Sequence, residues 1–314
     1  MKTQLIGATS LLGTRLAYGC WRLVGTWDPK EVTPDRIAKG RRAVIAAYEA
    51  GYTLFDHADI YCHGICETVF GDAMKEVRGM RERVLIATKC GIRFPGEPNP
   101  DSPPRYDFSA EHILRSCEQS LKRLRIETID LYQLHRPDVL MDPEEVAGAF
   151  EALRKQGKAR EFGVSNFLPS FVDTLQEFCP MPLAVNQVEI HLGRLDCFDD
   201  GTLDQCLRRN ITPMAWSPLG GGWLGTGGKV EANDPRAAVK NKLLEMLDQT
   251  AGKYGVSRTI ISLAWLLKHP SGVIPIVGSI NPERIKEAVK ADAIDLSRED
   301  WYRLYTAARG TPLP

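Results

Sequence analysis

Four side chains in the N-terminal half of the chain have the chemistry to move a proton together: Asp56, Tyr61, Lys89 and His135. Lys89 closes the apolar run Val84-Leu85-Ile86-Ala87-Thr88, where burial threatens its charge. A buried ammonium needs an anionic partner. Asp56 ends the preceding apolar run and can supply one. The plainer alternative is a lysine that snorkels to water. Tyr61 follows five residues after Asp56, so the intervening loop can bring its hydroxyl over the same place. A phenol with a pKa of about 10 is a poor acid–base group at neutral pH, and a nearby ammonium would stabilise its phenolate. Asp56, Lys89 and Tyr61 thus form a workable proton-donor relay. His135 ends a further apolar run and can hydrogen-bond a substrate oxygen close to that phenol. Alone, such a histidine more often belongs to a core.

These residues need a scaffold that gathers strand ends. Short β-branched runs alternate with amphipathic stretches along the chain. The candidate strands are residues 15–20, 53–56, 84–90, 129–135, 161–166, 184–190, 211–217 and 273–279. Several are continuously apolar, as parallel strands covered on both faces are. Thr33-Pro34-Asp35, Asp142-Pro143-Glu144-Glu145 and Asn281-Pro282-Glu283-Arg284 each set a cap before a proline at the first helical position. Gly51 ends the first of these helices. Ser109 caps another, with Ile113, Cys117, Leu121 and Leu124 on one face. Eight strands, each followed by a helix, predict an α/β fold. It is a closed (β/α)8 TIM barrel in a single domain over residues 1–314, with an N-terminal hairpin within residues 4–12 and an extra C-terminal helix. Residues 218–235 are too many for a simple connection and are expected to be functional or mobile.

In such a barrel, chemistry sits where the strands end and the following loops begin. Those positions are polar here: Asp56, Lys89, His135, Ser165-Asn166, Gln187 and Glu189, Trp216-Ser217 and Gly278-Ser279. Any one of them reads equally well as a helix cap or a loop residue. The whole set on one rim is the signal.

Composition narrows the partners. Forty basic residues balance forty acidic ones in 314 residues, which offers no electrostatic footprint for nucleic acid or an anionic membrane. A chain of this length buries a core without a metal or disulfide staple. The eight cysteines are scattered, apart from Cys62 and Cys66, and do not form the framework of a small secreted domain. The N-terminus is a poor signal peptide, and no apolar run approaches the roughly 20 residues of a membrane span. A cytoplasmic protein acting on a small molecule, as a monomer or weak dimer, is the expectation.

The motifs carrying these residues resemble the aldo-keto reductase superfamily over nearly the whole chain. Phe55-Asp56-His57-Ala58-Asp59-Ile60-Tyr61 resembles its aspartate-to-tyrosine signature, with Glu67 in a familiar place. Thr88-Lys89-Cys90 is similar to its lysine strand, and Asp130-Leu131-Tyr132-Gln133-Leu134-His135 to its histidine strand. Lys158-Ala159-Arg160-Glu161-Phe162-Gly163-Val164-Ser165-Asn166-Phe167, Asn186-Gln187-Val188-Glu189 and Ala215-Trp216-Ser217-Pro218-Leu219-Gly220 continue the series. The resemblance implies an NADP(H)-dependent reductase of an aldehyde or ketone, with hydride from the nicotinamide and a proton from Tyr61. Lys89, held by Asp56, would tune Tyr61, and His135 would orient the carbonyl. It further implies that Ser165, Asn166 and Gln187 hold the carboxamide and that Trp216 stacks on the nicotinamide. Ser217, Leu219 and the following glycines, Gly221 among them, would line the pyrophosphate. Gly19, Cys20 and Trp21 match the loop after the first strand, where Trp21 would also wall the substrate pocket. Ser279, Arg284 and Glu287 resemble the adenosine end, with Arg284 suited to a 2′-phosphate, so that NADP(H) is preferred over NAD(H). The chain departs from the pattern at Gly278 and Ala288, where many relatives carry lysine and asparagine, and at Cys62, where many carry glycine.

Other signals weigh less. Gly220-Gly221-Gly222-Trp223-Leu224-Gly225 fits a dinucleotide fingerprint, but Thr226-Gly227-Gly228 continues the loop where a helix should start. Cys62-His63-Gly64-Ile65-Cys66 lacks a second ligand pair, so no metal is expected. Cys90 beside Lys89, or Cys62 and Cys66, would be redox-sensitive if the nearby cation favoured the thiolate. Specificity should lie in the loops near Trp21, His57, Arg136 and Trp223. Barrels like this one also serve as nicotinamide-sensing regulatory proteins with weak or no turnover, and that is the alternative function.

Overall fold

The computed structural model describes residues 1–313; Pro314, the last residue of the expected domain, lies outside them. A hairpin, β1 (Thr3–Leu5) and β2 (Leu12–Thr14), comes first. Then follow β3 (Ala17–Gly19), α1 (Pro34–Glu49), β4 (Leu54–Asp56), α2 (Ile65–Glu76), β5 (Leu85–Cys90), a small hairpin of β6 (Ile92–Arg93) and β7 (Arg105–Tyr106), α3 (Ala110–Leu124) and β8 (Ile129–Leu134). The second half comprises α4 (Pro143–Lys155), β9 (Ala159–Ser165), α5 (Pro169–Phe178), β10 (Leu183–Glu189), α6 (Asp196–Asp199), α7 (Thr202–Arg209) and β11 (Thr212–Trp216). It ends with α8 (Ala237–Tyr254), α9 (Arg258–Leu267), β12 (Ile274–Val277), α10 (Pro282–Ala288) and α11 (Arg298–Arg309).

Eight of these strands close a parallel barrel in the order β3-β4-β5-β8-β9-β10-β11-β12, with β12 returning to β3. Leu54, Ala87, Leu131, Val185, Met214, Ile274 and Ile276 pack together inside it. Residues one position away, such as Tyr132 and Leu134, pack against the helices instead. Being buried on both faces is what made the strands continuously apolar. The N-terminal hairpin plugs the end of the barrel opposite the strand C-termini: Ile6 and Leu11 join the interior cluster, and Gly7 donates to Thr212 Oγ1 at 2.8 Å. Gly7 has φ +58, and a Cβ there would stand 2.3 Å from the Ala184 carbonyl oxygen, so no other residue fits without displacing β10.

The capping signals operate as written. Thr33, Ser109, Asp142 and Asn281 accept from the backbone N–H of Arg36, His112, Glu144 and Glu283 respectively. Gly51 follows α1 with φ +92. Residues 218–235 are pinned rather than loose along much of their length: Leu224 is buried and Arg258 donates to the Gly228 carbonyl at 2.9 Å. Among the described residues, no helix is long and apolar enough to cross a membrane.

Candidate active site

Strand register brings the expected residues to one rim. Asp56 pairs with Gly19 on one side and Ala87 on the other, which places Lys89 one pleat further along β5. Asp56 and Lys89 share the inward parity of Leu54 and Ala87, so both point into the barrel. Lys89 is fully buried, and its Nζ donates to Asp56 Oδ2 at 2.9 Å, to the His57 carbonyl at 2.6 Å and to Tyr61 Oη at 3.1 Å. Burial opposes the ammonium, but Asp56 and Tyr61 outweigh it and raise its pKa above the ordinary value. Lys89 is therefore a fixed, charged hub.

Tyr61 reaches the hub through a compressed turn. Cys62, His63 and Gly64 all have left-handed backbones, with φ of 46°, 52° and 85°, and Gly64 then caps α2. For the two non-glycine residues this conformation costs roughly 1–3 kcal/mol each. The turn reverses the chain immediately after Tyr61 and leaves its half-buried side chain over the barrel mouth. Burial pushes the Tyr61 pKa up to about 12 despite the pull of Lys89 in the other direction. The ammonium does favour the phenolate, as expected, but desolvation outweighs it, and Tyr61 keeps its proton. A held proton is what a donor needs.

His135 follows β8 and donates its N–H to the Cys90 carbonyl at 2.9 Å. Its ring lies edge-on to Tyr61, with centroids 6.0 Å apart. Burial, then Lys89 and Arg136, drive its pKa well below the usual value, so the imidazole is neutral. Its Nδ1 is buried and without a partner among the described residues.

The residues expected at the nicotinamide end join the same network. Gln187 Nε2 crosses the barrel to donate to Asp56 Oδ1 at 2.8 Å. Ser165 Oγ donates to the Gln187 carbonyl at 2.9 Å, and Asn166 Nδ2 donates to Ser165 Oγ at 2.8 Å and to the His135 carbonyl at 3.3 Å. Trp216 Nε1 donates to Asn166 Oδ1 at 2.9 Å. These hydrogen bonds therefore link Tyr61 through Lys89, Asp56, Gln187, Ser165 and Asn166 to Trp216. Ser217, with φ +49, turns the backbone into the glycine loop, where Gly222 N–H donates to the Leu219 carbonyl. A Cβ on Gly221 would meet nothing within 4 Å, which leaves this backbone open to a ligand.

The remaining expected contacts divide. Gly19 packs against Ile276, which its lack of a side chain permits. Cys20 is fully buried, its N–H donating to the Asp56 carbonyl at 2.9 Å. Trp21 lies against Gly278, whose ideal Cβ would sit 3.5 Å from Trp21 Nε1. A side chain at 278 would thus start in ordinary van der Waals contact with that indole. Ser279 Oγ accepts from Asn281 N–H, and exposed Arg284 and half-buried Glu287 stand on α10 beyond it. Two surface hollows, of about 560 Å³ between residues 193–199 and the end of α11 and about 640 Å³ between α8 and α11, are lined by none of these residues.

The loop near His57 is expected to bear on specificity, but the histidine itself does not line the pocket. It follows Asp56, so the pleat turns it outward, where it is fully buried edge-on to Phe70 at 4.5 Å with neither ring nitrogen partnered. Burial and then Lys89 lower its pKa to about 3. The cysteines are not activated thiols: all eight are buried, and burial raises Cys90, Cys62 and Cys66 rather than lowering them. Cys90 packs with the helix-facing cluster, on the opposite side of its strand from Lys89. Trp223 packs over Gly193 and Gly220 beneath Lys240.

Three residues escaped the sequence reading. Exposed Trp27 bridges Trp21 and Tyr61, at centroid distances of 5.4 and 6.2 Å; an aromatic in the loop after the first strand was its signal. Asp59 is pushed up to about 8 by burial and by Glu67, which itself accepts from Thr88 and Arg123. Gln133, paired in register with Lys89, is fully buried, and both its amide atoms lack a partner among the described residues.

Comparison with known proteins bears on the same rim. The family model described as "Aldo/keto reductase family" matches residues 15–308. The chain is 39% identical over 315 residues to the 6-dehydroglucose reductase of Novosphingobium aromaticivorans, covering 98% of this chain and 96% of that protein. It is 40% identical over 309 residues to the uncharacterized oxidoreductase YcsN of Bacillus subtilis, covering 98% of each. Among solved structures, the glycerol dehydrogenase AKR11B4 from Gluconobacter oxydans superposes with a TM-score of 0.85 at 27% identity, over 99% of this chain and 97% of that one. The thermostable aldo-keto reductase Tm1743, in complex with the inhibitor epalrestat, gives 0.82 at 28%, over 98% and 100%.

Proposed function

The chain belongs to the aldo/keto reductase family, and from that premise we propose that it is an NADP(H)-dependent carbonyl reductase in which Tyr61 is the proton donor. It is an oxidoreductase of small carbonyl compounds by family. The finer reading rests on one observation: a fully buried Lys89 ammonium joins Asp56 to the hydroxyl of a protonated Tyr61, with a neutral His135 at the same mouth.

The residues present suit a nicotinamide nucleotide. Ser165, Asn166 and Gln187 offer hydroxyl and amide groups beside the half-buried Trp216 ring, and the Ser217–Gly221 backbone is open for a pyrophosphate. Gly19, Trp21 and the Cys20 backbone border the same mouth, with Gly278, Ser279, Arg284 and Glu287 at the adenosine end. The bound nucleotide supplies the hydride. Tyr61 then delivers its proton to the oxygen that becomes the alcohol. As the phenol loses that proton, the ammonium 3.1 Å away changes from a neighbour of a neutral group to the partner of an anion. Such an interaction grows only as charge develops, which is what accelerates a reaction. Asp56, braced by Gln187, keeps the ammonium in place. His135, neutral and edge-on to Tyr61, orients the carbonyl oxygen by hydrogen bonding.

Arg284, exposed on α10, favours a 2′-phosphate and hence NADP(H) over NAD(H). The proposal includes a single domain over residues 1–314 that works in the cytoplasm as a monomer or weak dimer. Two relatives are named 6-dehydroglucose reductase, so hydroxylated aldehydes belong in the substrate panel. Titration by tryptophan fluorescence tests the cofactor half. NADPH should bind at micromolar concentration and more tightly than NADH, with Arg284→Ala narrowing the gap. Binding of neither nucleotide would remove the basis for this reading.

A further inference from the structure

Arg136 is the charge at this rim that nothing in the relay uses. It follows His135, is half-buried, and holds its guanidinium 5.5 Å from the Trp216 ring centroid. That cation–π contact is the one specific contact of its side chain among the described residues; the side chain has no hydrogen bond or ion pair with them. Nearby carboxylates are committed elsewhere. Asp138 accepts from the backbone N–H groups of Phe108 and Leu140 at 3.1 and 2.9 Å. Glu189 lies against His191 and Arg194 at 3.4 and 3.8 Å. At the mouth itself, Lys89 and Asp56 cancel, while Tyr61 and His135 are neutral. An uncompensated positive charge is left next to His135, where its field adds to burial and to Lys89 in lowering the imidazole pKa.

A guanidinium held by a cation–π contact alone keeps its N–H groups for a second partner, and a carboxylate is the shape its planar edge fits in two parallel hydrogen bonds. We propose that Arg136 is a specificity-determining residue that binds an anionic group, a carboxylate by preference, carried by the carbonyl substrate a short spacer away from the reacting carbon. This rests on the reductase reading above. The charge would act on binding and orientation of the substrate, not on proton delivery.

The test compares 4-formylbenzoate with its methyl ester, which share a ring and a reacting aldehyde but differ in charge, using NADPH oxidation by the wild-type protein, Arg136→Met, Arg136→Lys and Arg136→Glu. Wild type should favour the carboxylate by about 10- to 100-fold in kcat/KM, mainly through KM, and less so at high salt. Arg136→Met should abolish the preference, Arg136→Lys should restore part of it, and Arg136→Glu should reverse it. Equal use of acid and ester by wild type, or an unchanged ratio in Arg136→Met, would overturn the proposal. So would a loss of NADPH affinity in Arg136→Met as large as the loss of acid preference, since that makes the arginine a cofactor contact. If wild type reduces no aldehyde, the reductase reading fails instead. Arg136 is then judged by fluorescence titration with 4-formylbenzoate: binding lost in Arg136→Met sustains the anion site, and no binding to wild type overturns it.

Discussion

Replacing Lys89 by methionine should separate the structural work of this lysine from its chemical work. The substitution keeps most of the side-chain volume but removes the three hydrogen bonds from Nζ to Asp56, the His57 carbonyl and Tyr61. Asp56 is then left buried as a charge, with Gln187 as its remaining side-chain partner. Breaking a buried ion pair from one side costs about 3–5 kcal/mol. For a chain of this size roughly 2 °C of melting temperature follows each kcal/mol, so a fall of about 6–10 °C is expected. Because the folded pKa of Lys89 is raised, its stabilisation is complete below the unfolded value of about 10.4 and is lost only as pH rises through the folded one. At pH 7 the whole effect is therefore visible. Lys89→Met combined with Asp56→Asn removes the stranded charge and should recover at least half of the lost stability. It should not recover activity, because Tyr61 still lacks the ammonium that offsets its burial, and turnover should stay about 10²–10⁴-fold below wild type. Thermal unfolding and aldehyde reduction on the three variants provide both readouts. A single variant as stable as wild type, or a double variant no more stable than the single, would refute the electrostatic reasoning.

Other consequences are smaller but as definite. His57→Leu should gain stability relative to wild type as pH falls from about 6.5 towards 4. The buried neutral imidazole has a folded pKa near 3, so the unfolded chain alone takes up a proton in that window, at about 1.4 kcal/mol per pH unit. Urea titrations of both proteins at pH 7 and pH 5 check this, and a constant difference between them counts against it. Asp59, raised to about 8, has the opposite sign: its penalty grows from about pH 4 and is complete above pH 8. Asp59→Asn should therefore be more stable than wild type at pH 9, by about 1 kcal/mol or more, and nearly indistinguishable at pH 4. Mild hydrogen peroxide should leave aldehyde reduction unchanged, because all eight thiols are buried and those nearest the site have raised pKa values; inactivation that dithiothreitol reverses would contradict it.

The barrel was legible because several strands are apolar on both faces, and the caps Thr33, Asp142 and Asn281 mark helix starts by local chemistry alone. Strand ends were less so. Residues 166 and 217 were expected within strands, yet Asn166 and Ser217 take left-handed φ of 61° and 49° because they turn the backbone away from the barrel at the rim. The two-residue strands β6 and β7 carry no periodic signal and went unpredicted. At the site, Asp56, Lys89 and Tyr61 were readable because a charge inside an apolar run demands a partner. The two-residue period sends His57 to the opposite face from Asp56. Gln133 and Asp59 were overlooked because their surroundings come from strands and helices distant in sequence. The direction of the Tyr61 shift was a contest between burial and charge, and only the packing decides it.

The most direct test of Tyr61 as proton donor is the rate of NADPH oxidation with 4-nitrobenzaldehyde by wild type and by Tyr61→Phe, each first matched for NADPH affinity by tryptophan fluorescence. Removing one hydroxyl, bonded to Lys89 at 3.1 Å, should leave nucleotide binding intact and lower turnover by about 10²–10⁴-fold. A Tyr61→Phe protein that binds NADPH normally and reduces the aldehyde within a few-fold of wild type would contradict it.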